Sequence, residues 1–296
     1  MASGRRWVPA WAVGGVTGLC ILVSAPGDHG PPPVVVHVAE SPLSSVPRPP
    51  NEPPGFRTIA QVPFDGVASP LSALPEGLRL ALPPEWEAIA SEDLGVDVDV
   101  DAPGSPPYVG RATFPRGLGD GVSPIWMQRK IDASGFRQIF VSFWFKLSDN
   151  WQGHATGVNK IGFAWMHGKP VLTFAAVGSG VGPLVSQIRL QDVRYERARN
   201  LTSNMLPTPL KRGTWHRWEM LLVSNRPDMR DGEIRWWIDG ALAGDYGNVV
   251  LAGPEEDDVW EIVTWRPVWG GRGDQVRQTM YMWMDDLYVS GEEAAH

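Results

Sequence analysis

The chain has 296 residues with a formal net charge of −7, and it contains 15 tryptophans, 33 glycines, 28 prolines and one cysteine. The negative charge argues against nonspecific binding of nucleic acid, which needs a basic surface. The single cysteine, Cys20, excludes an intramolecular disulfide and a zinc site built from several cysteines.

Residues 1–25 have the pattern of a targeting segment. Arg5 and Arg6 precede an uncharged run, and the sequence Val23-Ser24-Ala25 resembles a signal-peptidase site, although Pro26 is unfavourable directly after it. The uncharged run is also about long enough to cross a bilayer as an uncleaved anchor. A secretory signal, an anchor and a buried element therefore stay open. Either of the first two predicts a secreted or cell-envelope protein that meets a membrane only through this segment.

Residues 26–55 are rich in proline and include Pro31-Pro32-Pro33 and Pro53-Pro54. Proline fixes φ and removes a backbone donor, so this composition predicts an extended, semi-rigid linker. We expect one globular domain to follow it, over residues 56–292.

Within this domain, alternation of apolar and polar residues predicts β-strands and no long helix. A single helical turn is expected at residues 88–94. Abundant aromatic residues and turn formers favour an all-β fold with two antiparallel sheets. The clearest predicted strands cover residues 108–114, 125–131, 138–147, 159–167, 170–177, 184–191, 215–224, 233–239, 260–268 and 279–290.

The stretch from Trp215 to Gly240 carries a recognisable pattern. It contains Trp215-His-Arg-Trp-Glu, a polar turn that includes Asn225 and Gly232, and Trp236-Trp-Ile-Asp-Gly240. Together with the run 140–148 and the closing run 284–291, it resembles concanavalin A-like lectin/glucanase sandwiches. Polysaccharide-lyase-like and laminin-G-like members are the nearest in pattern. The resemblance covers roughly residues 56–291 and implies a jelly roll, a scaffold that hosts many functions.

The outward positions of the predicted strands are aromatic, amide and charged. If they share one concave sheet, they would form a groove for a polysaccharide with carboxylates or sulfates, in which tryptophan stacks on sugars and arginine pairs with carboxylates. The alternative is that they are ordinary solvent-facing positions of a sandwich. The candidate substrate-binding residues are Trp144, Lys146, Lys160, Gln187, Arg189, Gln191, Arg217 and Glu219.

A lyase that acts on a uronate-containing polymer needs a group that neutralises the carboxylate, and a base and an acid at the neighbouring carbon. Arg189 with Gln187 suits the first role, whereas Gln187-Ile188-Arg189 has arginine where sandwich-fold alginate lyases place histidine. A glycoside hydrolase is less favoured, because the paired carboxylates of a Glu-x-Asp-x-Glu strand are absent. The candidate catalytic residues are His154, Lys160, Arg189 and Tyr281, with His167, His216 and Tyr195 as further possibilities; His216 is interpreted as a core histidine.

Related sandwiches often carry a structural calcium, and Asp65 with Asp285 or Asp286 is a possible pair of ligands. The alternative is that these aspartates cap a strand edge or meet arginines. No cofactor is required by any reading. Three functions stay open: carbohydrate binding outside the cytoplasm, a polysaccharide lyase acting by β-elimination, and a non-catalytic adhesion or structural sandwich.

Overall fold

The computed structural model describes residues 47–64, 86–90, 93–131, 135–191, 193 and 200–293. The regular secondary structure in these ranges is β-strand, with no helix and hence none that is long and apolar enough to cross a membrane. The strands form two antiparallel sheets. The predicted all-β sandwich of two antiparallel sheets is confirmed.

The first sheet has eight strands in the order β14-β13-β12-β6-β16-β4-β3, and β1 pairs with the second half of β16. The long strands β6 and β16 lie at its centre, and all their pairings are antiparallel. Its strands are β1 (Arg57–Val62), β3 (Leu94–Val98), β4 (Tyr108–Phe114), β6 (Phe136–Leu147), β12 (His216–Val223), β13 (Gly232–Ile238), β14 (Ala241–Val249) and β16 (Met280–Glu293).

The second sheet also has eight strands, in the order β10-β9-β8-β7-β15-β5-β2, and β11 pairs with β9. Neighbouring strands are again antiparallel. Its strands are β2 (Trp86–Ala90), β5 (Trp126–Lys130), β7 (Val158–Met166), β8 (Lys169–Val177), β9 (Leu184–Leu190), β10 (Asn200–Thr202), β11 (Pro209–Leu210) and β15 (Ile262–Trp269).

The core lies between the inner faces of the two sheets and is rich in aromatic rings. Phe143 on β6 packs against Phe174 on β8, with ring centroids 5.4 Å apart, and Trp218 on β12 contacts both. Each such ring contributes about 1.5–3 kcal/mol when it leaves water. The buried indole of Trp236 donates to Ser186 Oγ at 3.0 Å, which joins the sheets through a satisfied polar contact. The inner faces therefore fix which sides of both sheets point outward.

Two local expectations are wrong. Residues 88–90 of the expected helical turn are instead the end of β2, and Leu94 begins β3, while residues 91–92 lie outside the described ranges. Simple alternation along residues 159–166 predicts that Phe163 and Trp165 are buried together with Ile161, but the pairing of β7 with β8 shifts register between Lys160 and Gly162. Because one extra residue reverses the side that later side chains face, Phe163 and Trp165 leave the core side and join Lys160 on the outward side.

Residues 47–56, here called the N-terminal strap, lie against the outward side of the first sheet. Asn51 Nδ2 donates to Glu219 Oε2 at 2.8 Å, and the hydroxyl of Tyr288 donates to Glu52 Oε1 at 2.8 Å. Phe56 packs in a small apolar cluster with Phe140, Leu221 and Tyr288. The described end of the predicted linker is therefore held on the domain, whereas residues 26–46 lie outside the described residues.

Candidate functional site

The eight residues predicted to line one groove lie on two different sheets. Trp144 and Lys146 are on β6 and Arg217 and Glu219 on neighbouring β12, all in the first sheet. Lys160 is on β7, Gln187 and Arg189 are on β9, and Gln191 follows β9, all in the second sheet. Because the inner faces pack against each other, the outward sides point in opposite directions. The expectation of a single groove is wrong. Alternation shows which side chains of a strand point outward, but it does not show which of the two sheets the strand belongs to.

On the first outer face, meaning the outward side of the first sheet, charged groups are paired within the chain. Lys146 forms an ion pair with Asp99, and its ammonium lies 4.9 Å from the ring centroid of Trp215 and 5.0 Å from that of Trp283. The indole of Trp215 also donates to Asp99, at 3.1 Å. Burial by itself would raise the pKa of Asp99, but the hydrogen bonds from Lys146, from the Asp101 amide and from Trp215 lower that pKa below its usual value.

The neighbouring charges on this face are engaged in the same way. The Arg217 guanidinium lies 3.3 Å from Glu219 and 5.7 Å from the ring centroid of Trp144. Glu219 is fully buried and also accepts from Asn51 of the strap. The four predicted binding residues of the first sheet thus contact the chain's own side chains.

The second outer face, the outward side of the second sheet, presents two rows of side chains across its strands. In one row Arg189 lies beside Thr173, which lies beside Phe163; in the other, Gln187 and Lys160 flank Ala175. Adjacent strands are about 4.8 Å apart, so each row spans three strands within ~10 Å.

Fewer of the polar groups on this face than on the first outer face have hydrogen-bond or ion-pair partners among the described residues. Within the residues that the structure describes, the half-buried guanidinium of Arg189 donates to no carboxylate and the amide of Gln187 makes no hydrogen bond. Gln191 accepts from Thr173, and the Lys160 ammonium lies 5.3 Å from the ring centroid of Phe163. The floor is recessed, because Thr173 is fully buried and Phe163 is 5% exposed.

The structure adds aromatic residues and a cation that the sequence reasoning did not place here. The rings of Trp126 on β5 and Trp165 on β7 are stacked, with centroids 6.4 Å apart and planes inclined by 18°. The guanidinium of Arg266 on β15 lies 4.0 Å from the centroid of Trp126. Burial lowers the pKa of Arg266 below its usual value. Trp126 precedes buried Met127 and Arg266 follows buried Trp265, so alternation could have indicated that both side chains point outward. The outward direction of Trp165 depends on the bulge in β7 and could not be indicated in this way.

The four candidate catalytic residues are also separated. Lys160 and Arg189 share the second outer face, whereas Tyr281 is on β16 and its ring lies against Trp283 on the first outer face. His154 is fully buried, its ring edge packs on Trp269 at a centroid distance of 4.6 Å, and its Nδ1 meets the hydroxyl of Thr156. Only Lys160 and Arg189 of the four are placed to meet one ligand.

The further histidine and tyrosine possibilities have separate outcomes. Both ring nitrogens of buried His216 are engaged, because Nε2 accepts from the Lys211 amide at 2.8 Å and Nδ1 meets Asp239 at 2.7 Å. The interpretation of His216 as a core residue is confirmed. His167 Nε2 lies 3.7 Å from Glu256, and Tyr195 lies outside the described residues.

The aspartates considered for calcium are held by hydrogen-bond donors. Asp285 is fully buried and accepts from the amides of Gly104 and Ser105 and from the Ser105 hydroxyl; Asp286 accepts from Gln61 at 2.5 Å. Burial raises the pKa of both carboxyls, that of Asp286 to about 6. The described residues contain no cluster of three or more histidine, cysteine or acidic residues suited to a metal. Asp65 lies outside them, so the calcium pair stays a prediction.

Comparison with known proteins identifies the fold. No protein-family model matches the chain, and no curated protein matches it. The chain is similar to the alginate lyase from Aplysia kurodai, at 11% identity, a TM-score of 0.53, and coverage of 80% of this chain and 100% of that one. For the Chlorella virus alginate lyase the identity is 12% and the TM-score 0.52, with coverage of 70% of this chain and 93% of that one. For a variant of alginate lyase Aly36B in complex with an alginate trisaccharide the identity is 14% and the TM-score 0.51, with coverage of 71% of this chain and 99% of that one.

These similarities establish the architecture. The chain has the concanavalin A-like jelly roll found in polysaccharide lyases, and the resemblance noted in the sequence is confirmed at the level of the fold. At such low identity the similarity carries no residue roles.

Proposed function

We propose that this protein binds an anionic polysaccharide on the second outer face. The observation that supports it is Arg189, a half-buried cation that meets no carboxylate among the described residues and has the unpaired amide of Gln187 one position away on the same face. Guanidinium groups bind carboxylates through two parallel hydrogen bonds, and amides bind hydroxyls. A uronate-containing chain presents both groups. Alginate, the polymer named for the similar solved structures, is the first ligand to test.

The decisive variant is Arg189→Ala, measured by calorimetric titration with soluble alginate. Loss of a charge-assisted contact of about 1.5–3 kcal/mol predicts affinity lower by roughly tenfold to a hundredfold. Because Arg189 makes no ion pair with the described residues, we expect the melting temperature to change little. Arg235→Ala is the matched control, since this half-exposed arginine is paired with Asp245 on the first sheet. Equal affinities of wild type and Arg189→Ala, with both folded, would contradict the proposal.

A lyase activity is the second candidate, and the placement of Lys160 favours it. Lys160 lies on the same outward side as Arg189, two strands away from Gln187. In this proposal Arg189 neutralises the uronate carboxylate and Gln187 donates a hydrogen bond to it, which makes the neighbouring C5 proton more acidic. The neutral amine form of Lys160 then accepts that proton. The electron pair of the C5–H bond forms the C4–C5 double bond, the C4–O bond breaks, and the leaving sugar oxygen keeps that bond's electron pair and takes a proton from water.

The test is the ultraviolet absorbance of the unsaturated product during incubation with alginate or glucuronan. We expect wild type to produce it and Lys160→Ala to lose it while still binding. If the wild type binds the polymer without any change in absorbance, the lyase activity is wrong and polysaccharide binding alone remains as the proposed function. The extracytoplasmic location that we also propose depends on residues 1–25 and is tested by fractionating cells that express the full chain.

A further inference from the structure

A second cation on the second outer face also lacks a counter-ion. Within the described part of the chain, Arg266 contacts no carboxylate, and its Nε is buried without a hydrogen-bond partner. Its guanidinium instead lies on the ring of Trp126. A cation removed from water without a compensating charge destabilises the protein, so a position of this kind favours a ligand that brings an anion.

The tryptophans next to Arg266 are suited to a sugar ring. Trp126 and Trp165 are both half-buried, and their stacked planes keep the two rings in a fixed relation. Their indole Nε1 atoms are buried and make no hydrogen bond within the described residues. Aromatic faces pack well on the apolar faces of sugars. A cation and an aromatic surface therefore stand side by side.

This cluster is separated from Arg189 by two strands of the sheet. Arg189 is on β9 and Arg266 on β15, with β8 and β7 between them. Three strand spacings correspond to ~14 Å. The row that runs from Arg189 through Thr173 and Phe163 reaches β15 at Thr264, two residues before Arg266, and Lys160 lies in the neighbouring row on β7. One carboxylate cannot reach both guanidinium groups, whereas a chain with a carboxylate on several sugars can.

We propose that Arg266, Trp126 and Trp165 form a second subsite, which binds the carboxylate and ring of a sugar further along the same chain that Arg189 holds. The ligand class is then a polymer with carboxylates on more than one unit. This inference rests on the proposed function. The dependence of affinity on chain length then comes from Arg266 and not from Arg189.

The test compares oligomannuronates of two and of six units. Binding of the two-unit ligand is followed by NMR titration, which detects weak complexes, and binding of the six-unit ligand by calorimetry. We expect Arg189→Ala to weaken both ligands. We expect Arg266→Ala to weaken the six-unit ligand about tenfold and to leave the two-unit ligand unchanged, because the shorter chain does not reach the second subsite. Arg235→Ala should change neither.

The two proposals fail in different ways. If Arg266→Ala keeps wild-type affinity for six units, or weakens two units as much as six, the second subsite is wrong, while loss of binding in Arg189→Ala still supports the proposed function. If neither arginine variant weakens either ligand, both proposals are wrong. Should Arg266→Ala not fold, Arg266→Gln, which keeps a side chain over Trp126 without the charge, is measured with the same expected outcomes.

Discussion

The two outer faces of the sandwich carry similar side chains but differ in what those side chains contact. On the first, Lys146 is paired with Asp99 between two indoles, and Arg217 is paired with buried Glu219. On the second, Arg189 and Arg266 meet no carboxylate in the described part of the chain. The presence of tryptophan and arginine on a sheet therefore does not identify a glycan surface. The difference between the two faces is whether the chain supplies the counter-ions of these cations itself.

The largest effect is expected where the first face buries a charge. Glu219→Ala removes the acceptor of Asn51 and leaves Arg217, whose side chain is 20% exposed, without its carboxylate. Breaking one side of such a buried pair should lower the free energy of unfolding by about 3 kcal/mol, measured by urea denaturation.

The matched control is Glu233→Ala, because Glu233 is 39% exposed and its partner Arg235 also pairs with Asp245. A surface pair of this kind contributes less than about 1 kcal/mol. Similar losses in the two variants would show that the charges of the first face are not held as tightly as the contacts indicate.

A pH-dependent effect of intermediate size is expected at Asp286, where burial, with a smaller contribution from the charge of Asp285, raises the folded-state pKa to about 6. Between the unfolded value near 3.8 and about 6, the folded state binds more protons, so stability falls as pH rises through this window. Asp286→Asn removes that loss and should be more stable than wild type by about 2–3 kcal/mol at pH 7, with no advantage at pH 3.5.

Asparagine is the suitable replacement at this position. Asp286 has φ of 49°, a left-handed conformation that asparagine tolerates, and an asparagine oxygen can still accept from Gln61. The measurement is urea denaturation at both pH values. A stability difference that does not change with pH would contradict the raised pKa.

The smallest effect is expected for Lys146→Met, which keeps an unbranched side chain between Trp215 and Trp283 but removes the charge. Loss of one partly buried ion pair and two cation–π contacts should lower the free energy of unfolding by about 1 kcal/mol. Affinity for alginate should stay at the wild-type value, in contrast to Arg189→Ala. Weaker binding by Lys146→Met would return the first outer face to consideration as a ligand surface.

Alternation in the sequence was sufficient to predict most strands and the direction of their side chains. Alternation puts Phe143 with Phe145, and His216 with Trp218, on the apolar sides of their strands, and all four are buried, because strict alternation over eight or more residues leaves only one register that buries the apolar side. It missed β14 (Ala241–Val249), whose Ala-Leu-Ala-Gly-Asp start offers few large apolar residues.

Two features of the site could not be obtained from the sequence alone. Assignment of Lys160 and Lys146 to different sheets depends on strand order, which arises from long-range pairing. The outward positions of Phe163 and Trp165 depend on the bulge after Lys160. In the sequence of β7, Gly162 is the only residue of a type that marks such a bulge. As a result, the predicted groove combined four residues of the first outer face with four of the second. The aromatic cluster of the second outer face was not predicted.

The N-terminal strap keeps to one outer face of the sandwich. Its Asn51 and Glu52 meet Glu219 and Tyr288 on the first sheet, on the side opposite to Arg189 and Arg266. A polymer bound as proposed on the second outer face would therefore not compete with residues 47–56 for the same surface.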